Sequence, residues 1–223
     1  HKSHKILLKQ AKALNVKNLI ITNKKDYEIL KQKTKNSKIK VFNDFTQLDK
    51  IFKKKIDYVI NSISGIQGLE PTIKIIKFTK KIAIANKESI ICGWNLIQSQ
   101  LNKHKTEFIP VDSEHFSIWY GLKNYKSKDL ENIFLTASGG PFYKTSLNKF
   151  KKIKVSDALK HPNWKMGTKI STDSATMINK VYEVIEARKL FNISYQKIKI
   201  LIHPKSYIHA ILKFNNGLTN VIV

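Results

Sequence analysis

The strongest constraint on the fold is a repeated alternation in the first 111 residues. Short apolar runs are separated by segments with helical periodicity. Asn18-Leu19-Ile20-Ile21-Thr22, Lys40-Val41-Phe42, Asp57-Tyr58-Val59-Ile60-Asn61, Lys81-Ile82-Ala83-Ile84-Ala85 and Glu107-Phe108-Ile109-Pro110-Val111 read as strands. Residues 6–14, 27–32, 45–54, 68–80 and 88–103 read as helices, with Pro71 in the first turn of the fourth. Strands joined by helical crossovers form a parallel α/β sheet, because parallel neighbours cannot be linked by a tight hairpin. Ligands of such sheets sit beyond the carboxyl ends of the strands. Ser62 to Gly65, Asn86-Lys87-Glu88 and Asp112-Ser113-Glu114 occupy those positions.

The pattern changes after Val111. Asn132 to Thr136 reads as a strand running into Ser138-Gly139-Gly140-Pro141, and His161 to Gly167 as a loop carrying Trp164 and Met166. A helix is predicted over 174–190 and strands over 199–203 and 207–214. Asn216-Gly217 then turns the chain into 218–223. The expected division is an α/β unit over residues 1–111 and an α+β unit over 112–223.

Composition limits the function. Forty-one basic residues against 16 acidic ones give a formal net charge of +25, which raises the class of nucleic-acid binders. Arg188 is the only arginine, however, and arginine is the side chain best matched to phosphate and guanine. Lysine spread from Lys2 to Lys213 beside abundant Ile and Asn fits drift toward AT-rich codons. A lysine-rich polyanion-binding module is the competing reading, and it requires salt-steep binding. Cys92 is the only cysteine, so no intrachain disulfide forms. No apolar run approaches the ~18 residues of a membrane span.

Asp112 and Glu114 stand two apart just past a strand, and extended geometry would send both carboxylates to one face. Such oxygen ligands suit Mg²⁺ or Mn²⁺. Glu183 is a candidate third ligand, on one helix face with Asn179 and Lys180. A helix beginning at Ser174 would offer free N–H groups and a positive dipole end to a phosphate. The Ser138 hydroxyl and a neutral His161 could serve the same pocket, and the Trp164/Met166 loop suits a lid. Each feature also has a plain reading: a solvated turn, a loop, the wet face of an amphipathic helix. His203 and His209, close to strand residues, read as packed histidines.

Several segments occur together in one order: Asn86-Lys87-Glu88-Ser89, Pro110 to His115, Ser138-Gly139-Gly140-Pro141-Phe142, His161-Pro162-Asn163-Trp164-Lys165-Met166-Gly167, Asp173 to Lys180, Glu183 to Arg188 and His203-Pro204-Lys205-Ser206. The set closely resembles the 1-deoxy-D-xylulose 5-phosphate reductoisomerase family across essentially the whole chain. The resemblance implies a truncated Rossmann-like domain followed by an α+β catalytic domain. It also implies NADPH- and divalent-metal-dependent isomerisation and reduction of 1-deoxy-D-xylulose 5-phosphate to 2-C-methyl-D-erythritol 4-phosphate.

By the same resemblance Asp112, Glu114 and Glu183 are metal ligands for Mn²⁺ or Mg²⁺. Ser138, Ser174, Asn179 and Lys180 contact phosphate, with His161 beside them. Lys87, Ser113 and Glu114 contact substrate around the metal, and Trp164 and Met166 form a flap. Asn86, Glu88 and Gly167 lie near the nicotinamide cofactor. Lys87, Glu114, His161 and Glu183 are the implied catalytic set. A homodimer is implied, with no specific nucleic-acid partner and no membrane. The setting expected is bacterial cytoplasm, of an AT-rich endosymbiont in particular, with a plastid-type organelle as the alternative.

The family's Gly-rich pyrophosphate turn and its helical C-terminal domain find no match here. The 223 residues are therefore expected to be the middle of a longer protein and inactive alone. Val181-Tyr182 stands where Gly-Leu is usual, and Val181 is expected to tighten or shift the pocket. Tyr207, Ala210 and Trp119-Tyr120 also depart from the common pattern.

Overall fold

A computed structural model describes residues 3–223. Its first half alternates as the sequence pattern requires: α1 (His4–Ala13), β1 (Asn18–Ile20), α2 (Lys24–Lys33), β2 (Lys40–Phe42), α3 (Leu48–Ile51), β3 (Ile56–Asn61), α4 (Leu69–Ile75), β4 (Thr79–Ile84), α5 (Lys87–His104) and β5 (Glu107–Pro110). Every strand pair among these is parallel. The hydrogen bonding divides them, however, into β1-β2 and β3-β4-β5 rather than one continuous sheet. An apolar cavity of about 410 Å³, lined by Asn18, Ile20, Val59 and Ile60 among others, lies between β1 and β3.

Two helices are shorter than predicted. The segment 45–54 keeps only α3, because the Asp44 side chain caps Thr46 in a local turn and extended Phe52 ends the helix. The 68–80 segment passes from α4 through a 3-10 turn at Ile76–Phe78 into β4, which begins at Thr79. Thr79 is fully buried, with its hydroxyl on the carbonyls of Ile56 and Lys81.

The second half contains α6 (Ser113–Gly121), β6 (Leu130–Ala137), α7 (Val155–Ala158), α8 (Thr168–Ala175), α9 (Ile178–Phe191), β7 (Ile198–Ile202), β8 (Ala210–Phe214) and β9 (Thr219–Ile222). The strands form a mixed sheet in the order β7-β6-β8-β9. Its buried side carries Leu130, Ile133, Leu135, Ala210, Leu212 and Phe214, packed with Ile118 of α6 and Ala187 of α9. A second core of Ile76, Ile82, Ile84, Ile90, Trp94, Ile97 and Leu101 joins β4 to α4 and α5. Helix α9 touches both: Val184 and Ala187 enter the first core, and Leu190 packs on the second. It thereby couples the carboxyl ends of β4 and β5 to the mixed sheet.

Two expectations fail in this half. Residues 113–121 form a helix with Asp112 (φ −54°, ψ 128°) at its N-cap, so the extended geometry that would send Asp112 and Glu114 to one face ends at Asp112. The helix predicted over 174–190 is broken, with Met177 in the left-handed region (φ 61°) between α8 and α9. Ser174 consequently lies in the last turn of α8 and opens no helix.

Candidate active site

The strand ends set the site. Asn86 and Lys87 follow β4, Asp112 to Glu114 follow β5, and Ser138 follows β6. With the start of α9 and the loop 161–167 they enclose a cavity of about 490 Å³. Its lining includes Lys87, Asp112, Ser113, Glu114, Ser138, His161, Trp164, Met166, Ser174, Asn179, Lys180 and Glu183. Twelve of the fifteen residues named from the sequence therefore face one space. Asn86, Glu88 and Gly167 do not line it.

Local structure explains how the acids converge. Asp112 occupies the N-cap position of α6 with no side-chain cap bond, and Glu114 sits in its first turn, so the two belong to one helix start rather than one strand face. Glu183 reaches them from α9. One carboxylate oxygen from each of Asp112, Glu114 and Glu183 lies within 4.8 Å of the others. Two lysines interleave with these acids. The Lys87 ammonium donates to Asp112 Oδ2 at 3.1 Å and Asn179 Oδ1 at 2.9 Å, and lies 3.5 Å from Glu183 Oε1. The Lys180 ammonium donates to Glu114 Oε1 at 2.9 Å and to Glu183 Oε2, and Asn179 Nδ2 donates to Glu183 Oε1.

The electrostatics follow from burial and crowding. Burial, then the charges of Asp112 and Glu114, push Glu183 up to about 7 despite both lysines. Burial opposes charge on Lys87 and Lys180 as well. The carboxylates around them still hold both above the ordinary lysine value. Asp112 moves the other way: burial would raise it, but the hydrogen bond and charge of His115, with Lys87, hold it well below the usual carboxylate range. The donor set is thus three close acids, with Glu183 raised toward neutrality by burial and by the charges of the other two. That crowding fits a divalent cation on oxygen ligands.

The other end of the cavity holds no acidic side chain and is built around His161 and Ser138. His161 Nδ1 accepts the backbone N–H groups of Asn163 and Trp164 at 3.2 and 3.1 Å. The ring hydrogen therefore sits on Nε2, which donates to Ser138 Oγ at 3.0 Å. Burial lowers the pKa of His161, favouring this neutral form. Ser138 Oγ also accepts Gly140 N–H at 3.2 Å. Asn163 Nδ2 donates to the Pro204 carbonyl at 2.6 Å and to Ser206 Oγ at 3.1 Å, tying the loop to the 203–206 turn. Trp164 is exposed.

Some residues behave differently from their sequence reading. Asn86 is buried, with its oxygen capping Ser89 N–H at 2.7 Å and its amide on the carbonyls of Ile63 and Gly65. Its side chain holds a turn in place. Glu88 pairs with Lys169 at 3.1 Å, and Gly167 precedes α8 with open space where a Cβ would stand. His209, read as packed, lines the cavity, as do Lys165 and Ser206. Val181 is exposed and outside the lining, so it does not tighten the pocket. Tyr182 contributes its ring to Lys169, 5.7 Å away. Sequence reasoning gave no role to His115 or Glu186. Both are buried beside Asp112, and their spacing of one helical turn from Asp112 and Glu183 was the available signal.

Comparison with known proteins agrees with this geometry. Residues 1–93 match the family described as 1-deoxy-D-xylulose 5-phosphate reductoisomerase, and residues 108–191 match its C-terminal domain. The reductoisomerase of Pelagibacter ubique is 61% identical over all of this chain, which spans 58% of that protein. That of the Wolbachia of Culex pipiens is 42% identical over 98% of the chain and 56% of its own length. The Zymomonas mobilis enzyme, solved in complex with NADPH, superposes over the whole chain with a TM-score of 0.88 at 34% identity. This chain covers 57% of that structure. A second reductoisomerase structure, with NADPH, fosmidomycin and magnesium, superposes with a TM-score of 0.87 at 31% identity. The chain belongs to the 1-deoxy-D-xylulose 5-phosphate reductoisomerase family.

Proposed function

We propose that this chain carries the substrate and metal site of an enzyme that isomerises and reduces 1-deoxy-D-xylulose 5-phosphate to 2-C-methyl-D-erythritol 4-phosphate, using NADPH and Mg²⁺ or Mn²⁺. The observation that carries the reading is the convergence of Asp112, Glu114 and Glu183 beside a hydroxyl- and amide-lined cavity. The chain spans about 58% of its 61% identical relative, so the activity is proposed for the whole protein that contains it. Residues 1–111 and 112–223 are proposed as its cofactor and catalytic units, the protein acting as a homodimer in bacterial cytoplasm.

The three carboxylates would hold the cation, which supplies Lewis-acid polarisation of a substrate carbonyl when bound. Lys87 and Lys180 balance the acids and keep them apart, and Lys87 with Ser113 stands where substrate oxygens meet that end. Ser138, Ser174, Asn179 and Lys180 receive the phosphate, helped by the free N–H groups at the start of α9. Nε2–H of His161 is a fixed donor beside them. Trp164 and Met166 cover the substrate and exclude water. NADPH would supply hydride when bound; Glu88 and Gly167 are assigned to hold it, and Asn86 serves by fixing the 63–65 turn.

The test is NADPH oxidation by the full-length protein. Turnover should require both 1-deoxy-D-xylulose 5-phosphate and Mg²⁺ or Mn²⁺, and should fall at least a hundredfold in Glu183→Gln. Metal-independent turnover, or an unimpaired variant, would refute the proposal.

A further inference from the structure

We propose that Glu186 and His115 are a positioning pair that locks Asp112 to the Glu183 turn of α9, so that ligands from two helices form one preorganised cation site. The proposal rests on the three-carboxylate reading above and concerns residues outside it. His115, in α6, is completely buried. Its Nδ1 is 2.9 Å from Asp112 Oδ1, and its Nε2 is 2.9 Å from the backbone carbonyl of Glu183. A carbonyl oxygen only accepts, so Nε2 carries a hydrogen. The Asp112 carboxylate also accepts, so Nδ1 carries one too. The ring therefore joins the helix that bears Asp112 and Glu114 to the helix that bears Glu183.

Such a doubly donating ring is a buried cation and needs a counter-charge. Glu186 provides it. Its carboxylate is 1% exposed, with Oε2 3.5 Å from His115 Nδ1 and no hydrogen-bond partner of its own. A buried oxygen without a hydrogen bond is costly unless it faces opposite charge. Glu186 lies one turn beyond Glu183, and the ring of Phe191, stacked at 6.4 Å, borders the imidazole. With Oδ1 of Asp112 on His115 and Oδ2 on Lys87, that ligand cannot rotate. Groups that orient metal ligands in this way typically alter metal affinity 10–100-fold when removed.

Asp112, His115 and Glu186 also lie within 4.8 Å of one another, the spacing of a second metal site. Both ring nitrogens already face acceptors, which leaves the ring no lone pair for a cation.

Mn²⁺ titration of the full-length protein, read by the EPR signal of free Mn²⁺, tests the pair. Glu186→Gln should weaken Mn²⁺ binding about tenfold or more, and Glu186→Asp should restore most of it. His115→Asn places an amide N–H at the Nδ1 position and should bind within about threefold of wild type. His115→Gln keeps only the contact with the Glu183 carbonyl and should bind about tenfold more weakly. Wild-type protein that binds no Mn²⁺ would overturn the cation site itself. Wild-type binding with unchanged affinity in Glu186→Gln and His115→Gln would overturn the pair alone. Equal loss in both His115 variants would reduce the ring to packing. Two ions per chain, one lost in Glu186→Gln, would make the cluster a metal site instead. Should Glu186→Gln fail to fold, the contrast between the two His115 variants decides.

Discussion

Removing the charge of Glu183 should stabilise the metal-free protein while it destroys the metal site. Burial and the neighbouring Asp112 and Glu114 raise this carboxyl from its ordinary 4.5 to about 7. An acid whose pKa is higher in the folded chain opposes folding when ionised. The penalty is absent well below pH 4.5, grows through the interval, and is complete above about pH 7. At about 1.4 kcal/mol per tenfold change in acidity, it amounts to about 3 kcal/mol near pH 8 and less than about 1 kcal/mol near pH 5. Gln keeps the shape and one acceptor oxygen, enough for Lys180 or Asn179 but not for both, and carries no charge. Urea unfolding in EDTA should therefore show Glu183→Gln more stable than wild type by about 3 kcal/mol near pH 8, the gain shrinking to below about 1 kcal/mol near pH 5. Saturating Mg²⁺ should narrow or reverse the order near pH 8, because it stabilises only the chain that binds it. A variant no more stable than wild type near pH 8 would refute the reasoning. So would a gain that ignores pH, since crowding would then not be the source of the perturbed acid.

Two further substitutions probe the frame of the site. Gly140 has φ +70°, and a Cβ there would stand 2.7 Å from the Ser174 carbonyl oxygen. Gly140→Ala should cost about 1–3 kcal/mol in urea unfolding and raise KM for the phosphorylated substrate more than it lowers kcat. Asn86→Ala removes the cap of α5 and the amide bonds to Ile63 and Gly65. It should cost about 2 kcal/mol of stability and raise KM for NADPH, with substrate KM little changed.

The alternation of strands and helices was legible because each crossover helix and buried strand has its own period. The strands paired in parallel as expected. That Asp112, Glu114 and Glu183 would meet was legible only as chemistry, three acids of 16 at plausible positions in a lysine-rich chain. The route was misread. Residues 113–121 carry Phe116, Ile118, Trp119 and Tyr120 nearly all round, so α6 lacks the apolar stripe that announces a surface helix. The break at Met177 has no Gly or Pro to mark it; only the β-branched Thr176 and Ile178 beside it weaken the helix locally. His115 and Glu186 escaped notice for a related reason. Their spacing of one helical turn from Asp112 and Glu183 was the only local signal, and their roles exist only once α6 and α9 lie side by side.

The net charge of +25 comes from lysines spread along the chain and marks no single site. A charged field of this sign favours approach of phosphorylated ligands. The site itself depends on a few acids set among two buried lysines, and that is the claim most exposed to direct test. Anomalous diffraction from crystals of the full-length protein grown with Mn²⁺ would locate the ion. The account predicts one peak, bounded by carboxylate oxygens of Asp112, Glu114 and Glu183. A peak elsewhere, or none at a concentration that supports turnover, would contradict it.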